Sequence, residues 1–337
     1  MKCKLLAAAL LATVPFLASA QSSVVIYGVV DAALAKEDTG APGGSRTVVN
    51  SGNQSTSRFG FRGVEDLGNG LKATFNLEAG VAIDSGAGDS VLFGRRSVVG
   101  LAGSFGAVNI GREYTPIADV ANASDINGQG FYGTNLNSFG SGRLTRRISN
   151  SVNYRSASMG GFKFGGSYGL GETLTGPSLD LKGVSAEYAN GPVYLGAAYH
   201  LVERLATHDD KEYIVGAGFK ISDAIELKGN YMVADPEGNN NKYKQLNAGA
   251  SYTFGSNKLF GNFQQSKLEN GAKGNGYSFA YSYALSKRTN VYASVATIKN
   301  NEKATFSIFS AGASIVPPAT ALSADPKAYS VGLRHSF

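Results

Sequence analysis

Apolar and polar residues alternate along most of this chain with a period of two. The clearest case is residues 57–80, SRFGFRGVEDLGNGLKATFNLEAG. Leu71, Ala73, Phe75, Leu77 and Ala79 fall on one side of its second half, and Lys72, Thr74, Asn76 and Glu78 on the other. In the first half, Phe59 and Phe61 oppose Arg58 and Arg62. A two-residue period puts successive side chains on opposite faces of a strand. Between the halves, EDLGNG is rich in residues that tolerate positive φ and close hairpins. The segment reads as a long hairpin, apolar on one face and charged on the other.

The rest of the chain repeats this unit. SSVVIYGVVDAALA predicts a strand near 24–35, with Ile26, Val30, Ala32 and Leu34 on one side and Tyr27 and Asp31 on the other. A polar, Gly-rich segment at 36–56 precedes the hairpin. Beyond EDLGNG, tight turns are predicted near 104–106, 158–161, 190–192, 222–224, 255–257 and 286–289. Longer polar stretches at 81–91, 113–146, 170–182, 201–211, 234–243, 266–275 and 300–327 join 36–56 as long connections. Seven short and eight long connections join about sixteen strands, roughly 20 residues per strand and connection, which suits tilted membrane-crossing strands of about 9–11 residues. A soluble sandwich has no reason to collect every long loop at one end. A transmembrane antiparallel up-and-down β-barrel does, with short periplasmic turns and long external loops. An even count also returns the last strand to the first and removes unpaired edges. The fold expected is therefore all-β.

The last strand agrees. Tyr329, Val331, Leu333 and Phe337 share one side, opposite Ser330, Gly332, Arg334 and Ser336. The apolar side is the expected lipid face, with the terminal aromatic at the membrane interface. His335 falls on the apolar parity, which places it at the interface as well.

Composition narrows the picture. The mean hydropathy of −0.10 suits a soluble β protein or a membrane barrel equally. Residues 1–20 are a separate object: Lys2 and Lys4, an apolar core at 5–17, and the small-residue site Ala18-Ser19-Ala20. This is the pattern of a cleaved signal peptide, its core too short to span a bilayer. The expected domains are thus 1–20, removed, and 21–337, the barrel. Removal lowers the formal charge from +6 to +4, since two lysines leave with it. Cys3, the single cysteine, leaves too, so no disulfide or thiolate metal site is expected. After residue 20 no uncharged apolar run approaches helix-spanning length.

Signals for catalysis are thin. The three histidines are His200, His208 and His335. His200 and His208 bracket a predicted external loop holding Asp209 and Asp210, which reads as solvated charge rather than a metal or acid–base site. No strand serine has an evident histidine partner for a hydrolase, and there is no Walker loop or dinucleotide fingerprint. The cations are dispersed along an exported chain, which argues against nucleic acid. No enzyme activity, cofactor or metal is expected.

At this point the chain resembles the trimeric, sixteen-stranded general porins of Gram-negative outer membranes. The similar segments are SSVVIYGVVDAAL, SRFGFRGVEDLGNGLKATFNLE, SVVGLAGSFGAVNIGRE, GGFKFGGSYGLGE, YANGPVYLGAAY, YALSKRTNVYASVA and the terminal VGLRHSF, in order along nearly all of the mature chain. The resemblance implies a water-filled pore for passive diffusion of small hydrophilic solutes and ions, a homotrimer, and a third loop folded into the lumen. It implies an outer-membrane setting of lipid and lipopolysaccharide, and delivery by the barrel-assembly machinery through the C-terminal strand. The third loop corresponds to 113–146, with acids Asp119 and Asp125. The arginine cluster that faces this loop in related porins corresponds by motif to Arg58, Arg95 and Arg147. The facing of Arg62, Arg96, Arg112, Arg143 and Arg146 stays open, since RR stands at both 95–96 and 146–147. Wall arginines outnumber the two loop acids, and arginine clusters favour anions, so a mild anion preference is expected. The competing readings are an outer-membrane barrel enzyme and an adhesive or anchoring barrel without an open pore. The missing Ser/His pairing counts against the first. Against the second, no passenger domain precedes the first strand.

Overall fold

A computed structural model describes residues 23–204, 209–236 and 241–337. The predicted signal peptide with Cys3, and His208, lie outside the described residues. The first strands are β1 (Ser23–Asp38), β2 (Ser45–Ser51), β3 (Arg58–Gly68), β4 (Leu71–Gly80), β5 (Arg96–Gly103) and β6 (Gly106–Tyr114). Two short helices follow, α1 (Pro116–Ala123) and α2 (Asn137–Gly140). Next come β7 (Arg147–Arg155), β8 (Phe162–Gly169), β9 (Leu181–Asn190), β10 (Val193–Val202), β11 (Asp210–Lys220) and β12 (Ile225–Asp235). The chain continues through β13 (Tyr243–Phe254), β14 (Asn257–Leu268), β15 (Lys273–Ala284) and β16 (Thr289–Asn300). It ends with β17 (Ile308–Phe309), β18 (Ser314–Ile315) and β19 (Lys327–Ser336).

These form a closed antiparallel barrel of sixteen strands. β2 and β3 both pair with β1, along 32–38 and 23–29 respectively, and so act as one barrel strand interrupted at 52–57. β17 and β18 pair only with each other, as a small hairpin within the last long loop. β19 closes the cylinder on β1 from Val29↔Ser336 to Asp38↔Lys327, and Phe337 exchanges backbone hydrogen bonds with Gly28 at 3.1 Å. Closure leaves no strand edge unpaired in a medium that offers no hydrogen bonds.

All seven predicted tight turns fall where the structure has them. Two predicted long connections are shorter than expected. Residues 45–51 form β2 within the supposed loop at 36–56, and only 269–272 separate β14 from β15. Val48 and Val49 stand next to each other in β2, and the strand ends around 269–272 are mostly Ser, Lys, Gly and Asn, so neither place carries an alternating hydrophobic signal.

The predicted parity holds on the outer wall. Leu34 is 62% exposed and Val331 66%, with Val99, Ile110, Val184, Leu195 and Val215 also turned outward. At the short-turn end, Phe105, Phe162, Phe219, Phe254, Tyr283 and Phe337 are exposed, and Tyr168, Tyr199, Tyr277 and Tyr329 sit toward the loop end. These are the two aromatic girdles of a membrane barrel. Tyr329, Val331, Leu333 and Phe337 of the last strand all face outward as predicted. His335 is hydrogen-bonded to Thr289 through Nδ1 at 2.8 Å, beside a short turn.

The buried core lies inside the cylinder, where the third long loop (115–146) packs on the lumenal wall. Ile117, Val120, Ala121, Leu136, Phe139 and Leu144 of the loop cluster with Ala198, Ile214, Met232 and Tyr243 of the wall. Ile126 and Phe131 pack with Phe260 and Tyr292, and Tyr132 with Ile298, Ile308 and Ile315. Glycines clear the wall for this approach. A Cβ on Gly216 would run into Ser124 Oγ, and one on Gly249 would run into Ile126 Cγ2.

Candidate pore constriction

The loop enters the lumen through a capped helix. Thr115 accepts the Ala118 N–H at 3.3 Å, and Pro116 takes the first helical position, where its missing N–H is not needed. The apolar side of α1 turns to the wall, which leaves Asp119 and Asn122 facing the lumen. Polar ties then fix the loop. The Ile117 N–H reaches His200 Nε2 at 3.3 Å, and His200 Nδ1 lies 3.1 Å from Glu212. Glu212 also accepts from the Thr145 N–H at 2.9 Å and the Thr145 hydroxyl at 2.8 Å. Farther round, Asn230 donates to Ser124 O at 3.1 Å and Asn262 to Gly133 O at 2.8 Å. His200, which flanks the predicted external loop at 201–211, thus belongs to the inner wall beneath the third loop. The strand parity that made β10 alternate already turned it inward.

Across the lumen, loop and wall enclose a cavity of about 320 Å³. Its charged lining is Arg58, Arg95, Arg96 and Arg146 with Glu78 and Asp119. Arg95 meets Glu78 at 2.7 Å, and Arg58 reaches the same carboxylate at 3.4 Å. Arg96 pairs with Glu113 at 2.5 Å, and Arg155 with Asp119 at 2.6 Å. Arg146 donates to Gln129 at 2.7 Å, and Arg147 donates to the Tyr114 hydroxyl at 2.6 Å while lying 4.4 Å over its ring. Arg155 carries Asp119, and one acid serves both Arg58 and Arg95. Among the described residues, no carboxylate lies within ion-pair distance of Arg146 or Arg147. The site is cationic on balance.

Both members of each RR pair turn inward. Arg95 and Arg146 each precede a strand by one residue, so strict alternation does not yet bind them. Arg95 is anchored there by its N–H to Glu78 O at 3.2 Å. Arg62 keeps the lumenal parity of Arg58 but lies away from the cavity, 5.1 Å over the Tyr27 ring. Arg112 is not in the lining either; it donates to Gly94 O at 2.6 Å and Ser149 Oγ at 2.8 Å, pinning neighbouring backbone. Arg143 sits 5.8 Å over Tyr243 on the opposite side of the loop.

The two loop acids separate. Asp119 faces the lumen, its side chain 34% exposed, and burial pushes its carboxyl up to about 6 against the pull of Arg155. Asp125 is correctly placed on the loop but is fully buried inside it. It accepts from the Asn127 N–H at 3.2 Å, the Gln129 N–H at 3.0 Å and the Thr134 hydroxyl. Its carboxylate holds the loop's shape and reaches no lumenal water. Burial and the neighbouring Arg147 lower Arg146 to about 10, which leaves it charged at neutral pH.

Four contributors were not picked out from sequence: Arg155, Glu78, Glu113 and Arg334. Arg155 shares the parity of Arg147 on β7, and Glu78 and Arg334 were already on the polar sides of their strands, so alternation alone could have nominated these three. Arg334 donates to Ser55 Oγ at 2.8 Å at the cavity margin. The last long loop was also missed as a lumenal element. Phe309 O accepts from the Gly133 N–H at 2.9 Å and Ala311 O from the Thr56 hydroxyl at 2.6 Å, so this loop too folds inward and braces the third.

Comparison with known proteins agrees with this geometry. Residues 7–303 match a family described as Gram-negative porin. The chain is 33% identical to outer membrane porin protein 32 of Delftia acidovorans, over the full length of both. It is 30% identical to an outer membrane porin protein of Bordetella pertussis, over 89% of this chain and 95% of that one. Among solved structures, the anion-selective porin from Comamonas acidovorans superposes with a TM-score of 0.81 at 28% identity, over 94% of this chain and all of the other.

Proposed function

Because the chain belongs to the Gram-negative porin family, we propose that its lumen conducts anions in preference to cations. It is an outer-membrane porin, a channel through which small hydrophilic solutes and ions diffuse passively. The observation that carries the preference is the pair Arg146–Arg147. Arg146 lines the cavity and Arg147 the recess beside it, neither with a carboxylate partner among the described residues, while Glu78 is shared by two others. In a narrow aqueous gap with low-dielectric walls, a few unbalanced charges set the potential that a passing ion meets. Arg58, Arg95 and Arg96 define the wall of that field, Asp119 its loop side, and Asp125 stabilises the loop behind it. The 28%-identical Comamonas structure is named as anion-selective, which supports the reading.

The same reading treats residues 1–20 as a removed export signal and the active form as a homotrimer in lipid and lipopolysaccharide. The outward residues of β19, Tyr329 to Phe337, are taken as the surface by which the assembly machinery recognises the chain. No reaction is assigned to it. An anchoring barrel would give no stable stepwise current in a bilayer, which separates that alternative from a pore. The direct test is the reversal potential under a KCl gradient. Wild type is expected to favour chloride. Arg147→Ala and Arg146→Ala should each lower the chloride/potassium ratio more than Arg58→Ala or Arg95→Ala, whose shared acid would be left with one partner. A potassium preference in wild type would overturn the proposal.

A further inference from the structure

A second recess, about 420 Å³, adjoins the arginine cavity on the loop side. It shares Arg146 and Ala311 with that cavity and adds Arg147. One wall is Leu136, Phe139 and Gly140 of the third loop, and the other is the β17–β18 hairpin from Phe309 to Ser314. The size is that of a small-molecule site. We propose that this recess binds aromatic carboxylates and holds them next to the constriction before they pass; the inference rests on the anion-preferring reading above.

Two chemistries meet there. The first is an arginine pair with hydrogen-bonding capacity in reserve. Each guanidinium carries several donors in a planar fork that matches a carboxylate. Arg146 donates to Gln129 and Arg147 to Tyr114, and among the described residues the buried Nε of each finds no acceptor. Both guanidiniums line the recess, and neither has a carboxylate partner among the described residues, so the donors they turn to the recess can serve the oxygens of an anion seated there. The second is an apolar shelf. Leu136 and Phe139 are packed into the loop, which fixes their exposed edges, and Phe309 closes over Gly140. A Cβ at Gly140 would run into Phe309 Cε1, so the absence of a side chain there is what lets the ring lie against the loop. Chloride would use the charges and gain nothing from the rings. A planar aryl carboxylate uses both, its oxygens on the guanidiniums and its ring against Phe139 and Phe309.

Benzoate and formate carry the same charged group and differ in the ring, so they isolate the shelf. With the full channel in a planar bilayer at constant ionic strength, benzoate added on the loop side is expected to reduce the chloride current saturably, with formate weaker by about tenfold or more in half-blocking concentration. Phe309→Ala should raise the benzoate value about tenfold and leave the formate value little changed, which closes the gap between them. Gly140→Ala, which displaces the same ring by a different route, should narrow the gap in the same direction. If benzoate and formate block alike in wild type, or if neither variant narrows their difference, the proposal fails. The reversal potential recorded in the same membranes keeps the two readings apart. Chloride preference with no benzoate discrimination sinks only the recess, whereas potassium preference sinks both.

Discussion

The two sides of the lumen are built from the same strand alternation and do opposite things with it. On the β9–β13 side, inward polar residues are covered by the third loop. His200, Glu212, Asn230 and Gln245 are all buried, and each has a hydrogen-bond partner on the loop or the wall. On the β3–β7 side, the inward polar residues include arginines that face a cavity and are only partly matched by acids. Inward polarity therefore does not by itself mark a pore lining. What separates the two is whether another segment of the chain sits on top. The covered side fixes the loop, and the position of the loop determines which charges on the uncovered side oppose one another.

The largest effect is expected from breaking the covered side. Glu212→Ala removes the acceptor for His200 and Thr145 at one stroke and leaves Arg204, 3.3 Å from the same carboxylate, with Asp210 as its remaining acid. Losing one partner of a buried charged network typically destabilises by about 3–5 kcal/mol. The expected readout is a lower denaturant midpoint for the detergent-solubilised barrel, together with noisier open-channel current as the loop loosens. On the uncovered side, Arg58→Ala should change the midpoint little, since that side chain is water-facing and its acid retains Arg95. Equal destabilisation by the two variants would erase the contrast.

A pair of acid-to-amide changes sharpens the contrast at intermediate size. Glu78→Gln frees both Arg58 and Arg95 and should raise the chloride/potassium ratio about twofold, a shift of order RT ln 2 in the local field. Asp125→Asn removes an equal charge from the sequence but from inside the loop, where the carboxylate accepts from two backbone N–H groups and Thr134. It should leave the ion ratio where it was and reduce stability by about 1–3 kcal/mol. Reversal potentials and denaturation midpoints on both proteins check the assignment. An ion ratio that moves as much for Asp125→Asn as for Glu78→Gln would place Asp125 in the field after all.

This division also explains what could be read in advance. Turns and outward faces were legible because both depend on neighbours in sequence: EDLGNG closes its hairpin locally, and Val331 faces lipid because residues 330 and 332 do not. Whether Asp119 or Asp125 meets the lumen depends on α1 seating on β9–β11, a contact between segments far apart in sequence, and nothing in the local pattern encodes it. The two acids look alike in sequence, close together on one polar loop. The inward fold of the last long loop rests on backbone groups, such as Phe309 O, whose partners alternation cannot nominate. The RR pairs stayed ambiguous because Arg95 and Arg146 stand just outside their strands.

The smallest effect tests the single acid that belongs to both sides. Asp119 rides on the seated helix and points at the arginine wall, where Arg155 meets it at 2.6 Å. Burial raises its carboxyl to about 6. Above that pH it is an anion and offsets one guanidinium; as the pH falls through about 6 it takes up a proton and the offset is lost. The net positive charge at the cavity thus rises on acidification, and chloride preference should increase modestly between about pH 7 and pH 5. Asp119→Asn should start at the acidic value and stay flat across that range. The same titration in Glu78→Gln should retain the slope, because Asp119 is intact there. A wild-type ratio that falls with acid would give the wrong sign. A slope that survives Asp119→Asn would mean that another group, not the loop carboxylate, tunes the arginine wall.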